Sequence, residues 1–422
     1  MNKVGRLIIS LLLILFLWGF TVFPCTGFTA VVGSRVLIGN NEDYNIDYKD
    51  TAARIRPASE GKYGCLLVGF NRQDFAMGGM NDQGLFYDWF SVPPNDWAAL
   101  PGKPYYSGFK PENMLEQCAN VEEAVVFFQT YNLDIFKENQ VFVVDKTGKS
   151  AVIAWGEGGL DVVYKEGDYQ VVANFYLLHP ERGWYPNWRY DTAVDMLENA
   201  GEISIELFRS ILDAVHVEGS NCTQYSNIYE LQKGEIYIFN FYNFDEFIKL
   251  NIGEELNKGG HIYLLPEYFS KIKLINPVEG EVANSSSITF RWQGKGDSHY
   301  QLYCSTDPGF KGCDPIEVVP GMYTFNQRGW ALLCWGFLFP GITFLNRKRF
   351  LVKYMIFLLL VIPLVSCQYS AQEPLDEADS VREISIVVDN LQPGSTYYWK
   401  VAASAANDLK SESIVKTFTI EP

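Results

Sequence analysis

The chain has 422 residues, 48% hydrophobic and 20% charged, a balance that suits two or three packed domains and excludes a disordered or collagen-like chain. With 34 Lys and Arg against 50 Asp and Glu, the net charge is −16, which argues against nucleic-acid binding, where basic patches must neutralise phosphates. Eight cysteines are too sparse for a disulfide scaffold, and four histidines without metal-ligand spacing argue against a zinc site.

In chain order, the first element is an export signal or an anchor. Lys3 and Arg6 precede an apolar run from Leu7 to Phe23, of a length at which a cleaved signal and a membrane anchor are hard to separate. Pro24 is a poor residue to precede a cleavage site, so both readings stand. Residues 25–32 and 36–41 read as strands around a Gly33-Ser34 turn, and 65–70, 75–80 and 84–89 continue the strand series. Helical spacing over 121–131 follows Asn120, a capping residue. Strand patterns return at 140–145, 151–155 and 160–164, helical ones at 189–199 and 204–216, then strands at 225–231 and 235–241 around Lys233-Gly234. There is no βαβ regularity and no Gly-rich phosphate loop. That order predicts an α+β fold of antiparallel sheets with segregated helices, spanning 25–268.

From about residue 272 the pattern becomes short strands separated by turns, at 275–277, 288–292 and 299–305, and again at 384–388, 396–403 and 414–420. The run from Leu391 to Val401 (LQPGSTYYWKV), with Ser305-Thr-Asp-Pro308, resembles fibronectin type III domains. Residues 272–320 and 380–422 together make 92 residues, close to the ~100 of such a β-sandwich. Between them lie two apolar runs, 329–345 and 354–367, joined by Asn346-Arg-Lys-Arg349. The pattern reads as a membrane hairpin (329–367) inserted in a loop of the sandwich, with the basic turn in the cytoplasm. Two other readings stand: a buried core hairpin, or a lipoprotein-like signal ending at Leu364-Val-Ser-Cys367. Cys304 and Cys313 can pair in an oxidising compartment or remain two thiols.

Cys25 is the residue with the strongest chemical reading. Were it a new N-terminus, one residue would hold both a thiol nucleophile and a base, since a free α-amine titrates near pH 7.7–8.0. Around it stand Cys25-Thr-Gly-Phe-Thr29, Ile38-Gly-Asn-Asn-Glu-Asp43-Tyr44, Gly79-Met-Asn-Asp-Gln-Gly-Leu85 and Val172-Ala-Asn174-Phe175, in that order. This set, over roughly residues 25–250, resembles the N-terminal-nucleophile (Ntn) hydrolases of the choloylglycine hydrolase and penicillin V acylase family.

The resemblance implies an αββα sandwich, hydrolysis of linear amide C–N bonds in a small-molecule substrate, and no metal or organic cofactor. It implies Cys25 as nucleophile, Asp43 as the carboxylate that holds the α-amine, Asn174 as an oxyanion-hole amide, and Asn81 as a further polar contact or backbone donor. Asn40 stands where bile salt and penicillin V enzymes usually carry Arg. Their later active-site arginine has no match in Thr223-Gln-Tyr-Ser-Asn-Ile-Tyr229, and Arg189 is the nearest candidate. Both departures put bile salts and penicillins in doubt as substrates and leave the amide chemistry intact. The run Phe86-Tyr-Asp-Trp-Phe90 reads as an acyl-pocket wall or as strand core, and His179 lacks a second signal for a Cys–His pair.

The expected protein is thus an exported, membrane-associated amidase with its catalytic domain outside the cytoplasm. Two alternatives stand beside it: a non-enzymatic surface protein that binds a partner, and an acyltransferase that uses the same thioester with an amine acceptor.

Overall fold

The computed structural model describes residues 25–73, 75–296, 298–319, 381–404 and 409–422. The expected signal or anchor, the two apolar runs of the expected hairpin and Cys367 lie outside the described residues. No helix among the described residues is long and apolar enough to cross a membrane.

Strands β1 (Thr26–Val32) and β2 (Arg35–Asn45) form a hairpin. The chain then crosses to a second sheet with β3 (Thr51–Arg56), β4 (Cys65–Phe70), β5 (Gly78–Asn81) and β6 (Leu85–Ser91). Helices α1 (Glu112–Leu115) and α2 (Val121–Thr130) follow, and β7 (Asn139–Asp145), β8 (Ser150–Trp155) and β9 (Leu160–Tyr164) complete that sheet. Strand β10 (Tyr169–Ala173) returns to the first sheet beside β1. Helices α3 (Trp188–Glu198) and α4 (Ile205–Ala214) lead to β11 (Asn221–Glu230), β12 (Glu235–Asn240) and β13 (Asn243–Asn251). Helix α5 (Ile252–Asn257) and β14 (His261–Leu264) end this part, with β14 against β3. The sheet orders are β10-β1-β2-β11-β12-β13 and β14-β3-β4-β5-β6-β7-β8-β9.

Side-chain alternation explains the layering. Along β1 and β2, Phe28, Ala30 and Leu37 pack against Phe208, Ile211 and Leu212 of α4 and Ala193 and Leu197 of α3. Val36 and Ile38 face the other way, onto Phe86 and Phe90 of β6 and Phe142 of β7. The outer face of the second sheet, including Leu85 and Tyr87, packs on Met114, Leu115, Val121, Ala124 and Phe128 of α1 and α2. The layers therefore run helix, sheet, sheet, helix. The expected helices form: Asn120, the expected cap, accepts a hydrogen bond from Glu123 N at 3.0 Å, and Ser204 caps the next helix by accepting from Leu207 N at 3.1 Å.

Strands β3, β13 and β14 did not follow from residue pattern, whereas β10 is the β-type run expected just before Asn174. In β3, Arg54 and Arg56 mask the strand, yet Arg56 is matched by Glu112 (2.9 Å) and Glu116 (3.0 Å) in the helical layer. The strand expected over 75–80 begins only at Gly78.

The remaining strands are β15 (Lys273–Asn276), β16 (Glu281–Ala283), β17 (Ile288–Lys295), β18 (His299–Ser305), β19 (Ile316–Val318), β20 (Val381–Val388), β21 (Thr396–Ser404), β22 (Lys410–Ser413) and β23 (Lys416–Ile420). They form the sheet β15-β17-β20 and a second set, β22-β21-β18-β19 with β23 and β16, around a shared core that contains Phe290, Trp292, Trp399 and Phe418. Tyr397 accepts a hydrogen bond from Gln392 N at 2.8 Å, which ties the start of β21 to the turn before it. Cys304 and Cys313 are free thiols, with Cys313 Sγ 3.5 Å from the Cys304 carbonyl.

The first sheet does not stop at β13, because β22 pairs with it from Glu246↔Ser413 to Ile248↔Ser411. Glu246 is fully buried at this junction and accepts hydrogen bonds from Ser270 N (2.7 Å) and Ile272 N (3.0 Å). Glu246→Ala leaves those amides without an acceptor, and a buried unpaired donor costs ~1–3 kcal/mol. The expected result is a lower urea midpoint for unfolding, with little change in the slope of the transition.

Candidate active site

Cys25 immediately precedes β1 and is 4% exposed, within the core between the two sheets. Its Sγ lies 3.6 Å from Glu42 Oε1 and 3.8 Å from the Asp43 carbonyl. Alternation along β2 divides its polar residues into two groups. Asn40 and Glu42 lie on the inter-sheet face with Ile38. Asn41 and Asp43 lie on the helical face, where Asn41 Nδ2 donates to Leu212 O at 2.9 Å. Strand β11 supplies partners in register: Tyr225 opposes Glu42 and Thr223 opposes Asp43, with a register shift between them. The Thr223 hydroxyl donates to Asp43 Oδ1.

Arg189, in the first turn of α3, joins these strands from the helical side. It is 4% exposed. Its Nη1 donates to Cys25 O (3.1 Å) and Thr26 Oγ1 (3.1 Å) and lies 3.4 Å from Asp43 Oδ2; its Nη2 donates to Asn174 Oδ1 at 3.1 Å. Asn187 caps the helix by accepting from Tyr190 N at 3.2 Å, which fixes where the Arg189 side chain enters. Asn174 follows β10 directly, and its Nδ2 donates to Ser91 O at 2.9 Å, across to the end of β6.

The electrostatics follow from burial. Desolvation pushes the Asp43 carboxyl up to about 7, against the opposing pull of the Arg189 guanidinium and the Thr223 hydroxyl. Its ordinary value is about 3.9. A folded value above the unfolded one contributes stability that is complete below the unfolded value and is lost as pH rises through the folded one. The free energy of unfolding is therefore expected to fall between about pH 4 and above pH 7, and Glu246, also raised to about 7 by burial, adds to the same slope. Urea midpoints at pH 5 and pH 8 check this, and Asp43→Asn should flatten the difference.

On the inter-sheet side a second carboxylate approaches. Asp88 of β6 shares a face with Phe86 and Phe90, is 2% exposed, and accepts from its neighbour Trp89 N at 2.6 Å. Burial raises the Asp88 carboxyl, and burial followed by the charge of Asp88 raises that of Glu42. Burial, then Glu42 and Asp43, push the Cys25 thiol well above its usual value. With the chain intact before residue 25, the sulfur is a protonated thiol rather than a nucleophile.

Cys25, Asp43, Asn174 and Arg189 are thus brought together, and Asn40 sits on the adjoining face beside Asp88. Asn81 is not brought to them. Its Nδ2 donates to Leu115 O (2.8 Å) and Cys118 O (2.7 Å), and its Oδ1 accepts from Gln83 N and Leu85 N. It ties the β5–β6 turn, where Gly84 takes φ +81°, to the outer helices. The partners of its side chain are thus this turn and the outer layer rather than Cys25. Of the aromatic run, Phe86, Tyr87 and Phe90 are strand core, whereas Trp89 lines a cavity of about 430 Å³ with Phe75, Tyr105, Phe109 and Asn132. His179 pairs with Asp161 at 3.1 Å and Glu181 at 3.4 Å. Glu42, Asp88 and Thr223 were not singled out from the sequence. Glu42 was legible in principle, since it lies two residues from Asn40 on the same strand face. Among the described residues no group of three or more His, Cys, Asp and Glu is placed to hold a metal ion.

No protein-family model matches the sequence, and no curated protein matches it. Solved structures do. The chain is similar to a variant of conjugated bile acid hydrolase from Clostridium perfringens, with a TM-score of 0.47 and 19% identity over 57% of this chain and 96% of that one. It is similar to penicillin V acylase from Agrobacterium tumefaciens, with a TM-score of 0.42 and 14% identity over 56% and 90% of the two chains. A Caenorhabditis elegans N-acylethanolamine-hydrolyzing acid amidase ortholog has a TM-score of 0.36 and 18% identity over 48% and 92%.

Proposed function

We propose that the chain is an exported, membrane-associated hydrolase of linear amide C–N bonds whose nucleophile is the thiol of Cys25, set free as an N-terminal residue by cleavage after Pro24. The observation that carries the reading is the placement of Cys25 at the head of β1, its carbonyl held by Arg189, which also reaches Asp43 and Asn174. A cysteine kept only for packing does not need a buried guanidinium on its own carbonyl.

Cleavage replaces the Cys25 amide nitrogen with an amine that titrates near pH 8. That amine takes the Sγ proton, and its positive charge offsets the carboxylates that hold the thiol protonated. The thiolate attacks the amide carbonyl carbon, and the developing oxyanion is met by donors of which Asn174 Nδ2 is one. The C–N bond breaks as the α-amine returns the proton to the leaving amine, leaving a thioester on Sγ. Water, deprotonated by the same amine, adds to the thioester and releases the acid. Asp43 holds the α-amine in this scheme, with its main-chain carbonyl 3.8 Å from Sγ, while Arg189 positions the end of β1 and touches no reacting atom. A second acceptor amine in place of water would make the protein an acyltransferase. In the C-terminal strands, the Tyr397 hydroxyl bonded to Gln392 N supports the fibronectin-like reading of that part.

The test is the N-terminal mass of protein purified from membranes after full-length expression, followed by incubation with a panel of acyl anilides. A mature start at Cys25 and a transient acyl adduct on Cys25 are expected. Retention of residues 1–24 in protein that still turns over amides sinks the mechanism, and a surface-binding role then takes its place.

A further inference from the structure

We propose that Glu42 and Asp88 form a recognition site for a protonated amine on the acyl half of the substrate, so that the preferred substrates are amides of α-amino acids. This rests on the amidase reading above and adds the substrate class.

Glu42 and Asp88 come from different sheets and meet on the inter-sheet side of Cys25, where each is at least 98% buried. Arg189 does not serve them, because it lies on the helical face with Asp43, Thr26 and Asn174. No ion pair to Glu42 or Asp88 occurs among the described residues, although buried carboxylates are ordinarily paired. A second observation points to a ligand. The Tyr225 hydroxyl, in a residue 1% exposed and directly across the sheet from Glu42, has no hydrogen-bond partner, and neither has Glu42 Oε2. Tyr225 shares the inter-sheet core with Cys25 and lies near Glu42 and Asp88 as well, so its oxygen belongs to this group. Two carboxylates and a hydroxyl, all acceptors, suit a donor-rich cation.

The geometry selects the acyl half. The leaving amine must depart toward solvent after the first step, whereas the acyl group remains bonded to Sγ, on the interior side. In an α-amino acyl group the nitrogen lies ~2.5 Å from the carbonyl carbon under attack. Glu42 Oε1, 3.6 Å from Sγ, is within hydrogen-bond reach of such a nitrogen. An ammonium placed there lets both acids ionise, which two adjacent buried carboxylates alone resist.

The experiment compares kcat/KM of the full-length, matured protein for alanine p-nitroanilide and for propionic acid p-nitroanilide, which lacks only the amine. N-acetylalanine p-nitroanilide serves as the charge-free control. A preference of about 100-fold for the free amine at pH 7 is expected, since truncating one side of a buried charge pair removes that much binding. Glu42→Gln and Asp88→Asn should each reduce the ratio to within about 3-fold of unity. Tyr225→Phe, which deletes one oxygen and keeps the ring, should lower it about 5-fold and decides the matter if the acid variants do not fold. Equal turnover of the amine-bearing and amine-free anilides overturns the proposal and leaves the amidase reading standing. Failure of the matured protein to cleave either of them, or any neutral linear amide, overturns both.

Discussion

Replacing Cys25 with alanine is expected to abolish amide turnover, by at least about 10⁴-fold, while leaving the thermal midpoint within a few degrees of the parent. The two halves of that result test different things. Loss of turnover follows from loss of the sulfur on which the proposed mechanism forms its acyl intermediate. Retention of stability follows because the fixed parts of the site are the Cys25 carbonyl and its neighbours, not the sulfur, and alanine keeps both carbonyl and backbone. Cys25→Ser is the sharper companion. It keeps a hydroxyl nucleophile and the α-amine, so a small residual rate with an unchanged N-terminal mass is expected. Full activity in Cys25→Ala would remove the thiol from the mechanism outright.

Arg189→Ala is expected to be the most destabilising single substitution in the site. It strips the guanidinium from Asp43, which is completely buried, and leaves Cys25 O, Thr26 Oγ1 and Asn174 Oδ1 without their donor. Breaking a buried pair from one side costs ~3–5 kcal/mol. The loss has a predictable pH signature. With Arg189 present, Asp43 is raised to about 7; without it, burial is opposed by Thr223 alone and the carboxyl rises further. The destabilisation should therefore be greater at pH 8 than at pH 5, where Asp43 is protonated in either protein. Arg189→Lys keeps the charge and loses the fork that reaches Asp43 and Asn174 together, so it should recover only part of the stability. Urea titrations at the two pH values separate these expectations.

What could be read from the chain beforehand divides along physical lines. Cys25 and Asp43 were legible because they lie on one hairpin, close in sequence and therefore close in space. Asn174 was legible because it directly follows a β-type run that pairs with the same hairpin. Arg189 was named only as a nearest candidate. Its place depends on how α3 crosses β1 and β10, a tertiary fact that no local spacing encodes. Asp88 was hidden for the opposite reason, since in a run of aromatics it reads as an outward polar residue, and only the second sheet turns that position inward. Asn81 was legible as part of a motif, and its side chain ties that tight turn to the Leu115 and Cys118 carbonyls. Strand β13 escaped because Glu246 interrupts its apolar face; its carboxylate takes the Ser270 and Ile272 amides at the junction where β22 pairs with β13.

That junction belongs to a part of the protein whose two halves are far apart in sequence. Strands β15 to β19 precede residue 320 and β20 to β23 follow residue 380, yet the strand order interleaves them: β17 pairs with β20, and β18 with β21. A backbone break anywhere between those residues removes a covalent link without removing any of these contacts. The later piece would remain docked through β17, β18 and β13. The nicked protein would then behave as a two-component complex, intact at high concentration and separable by dilution, because the effective concentration that the tether supplied is gone.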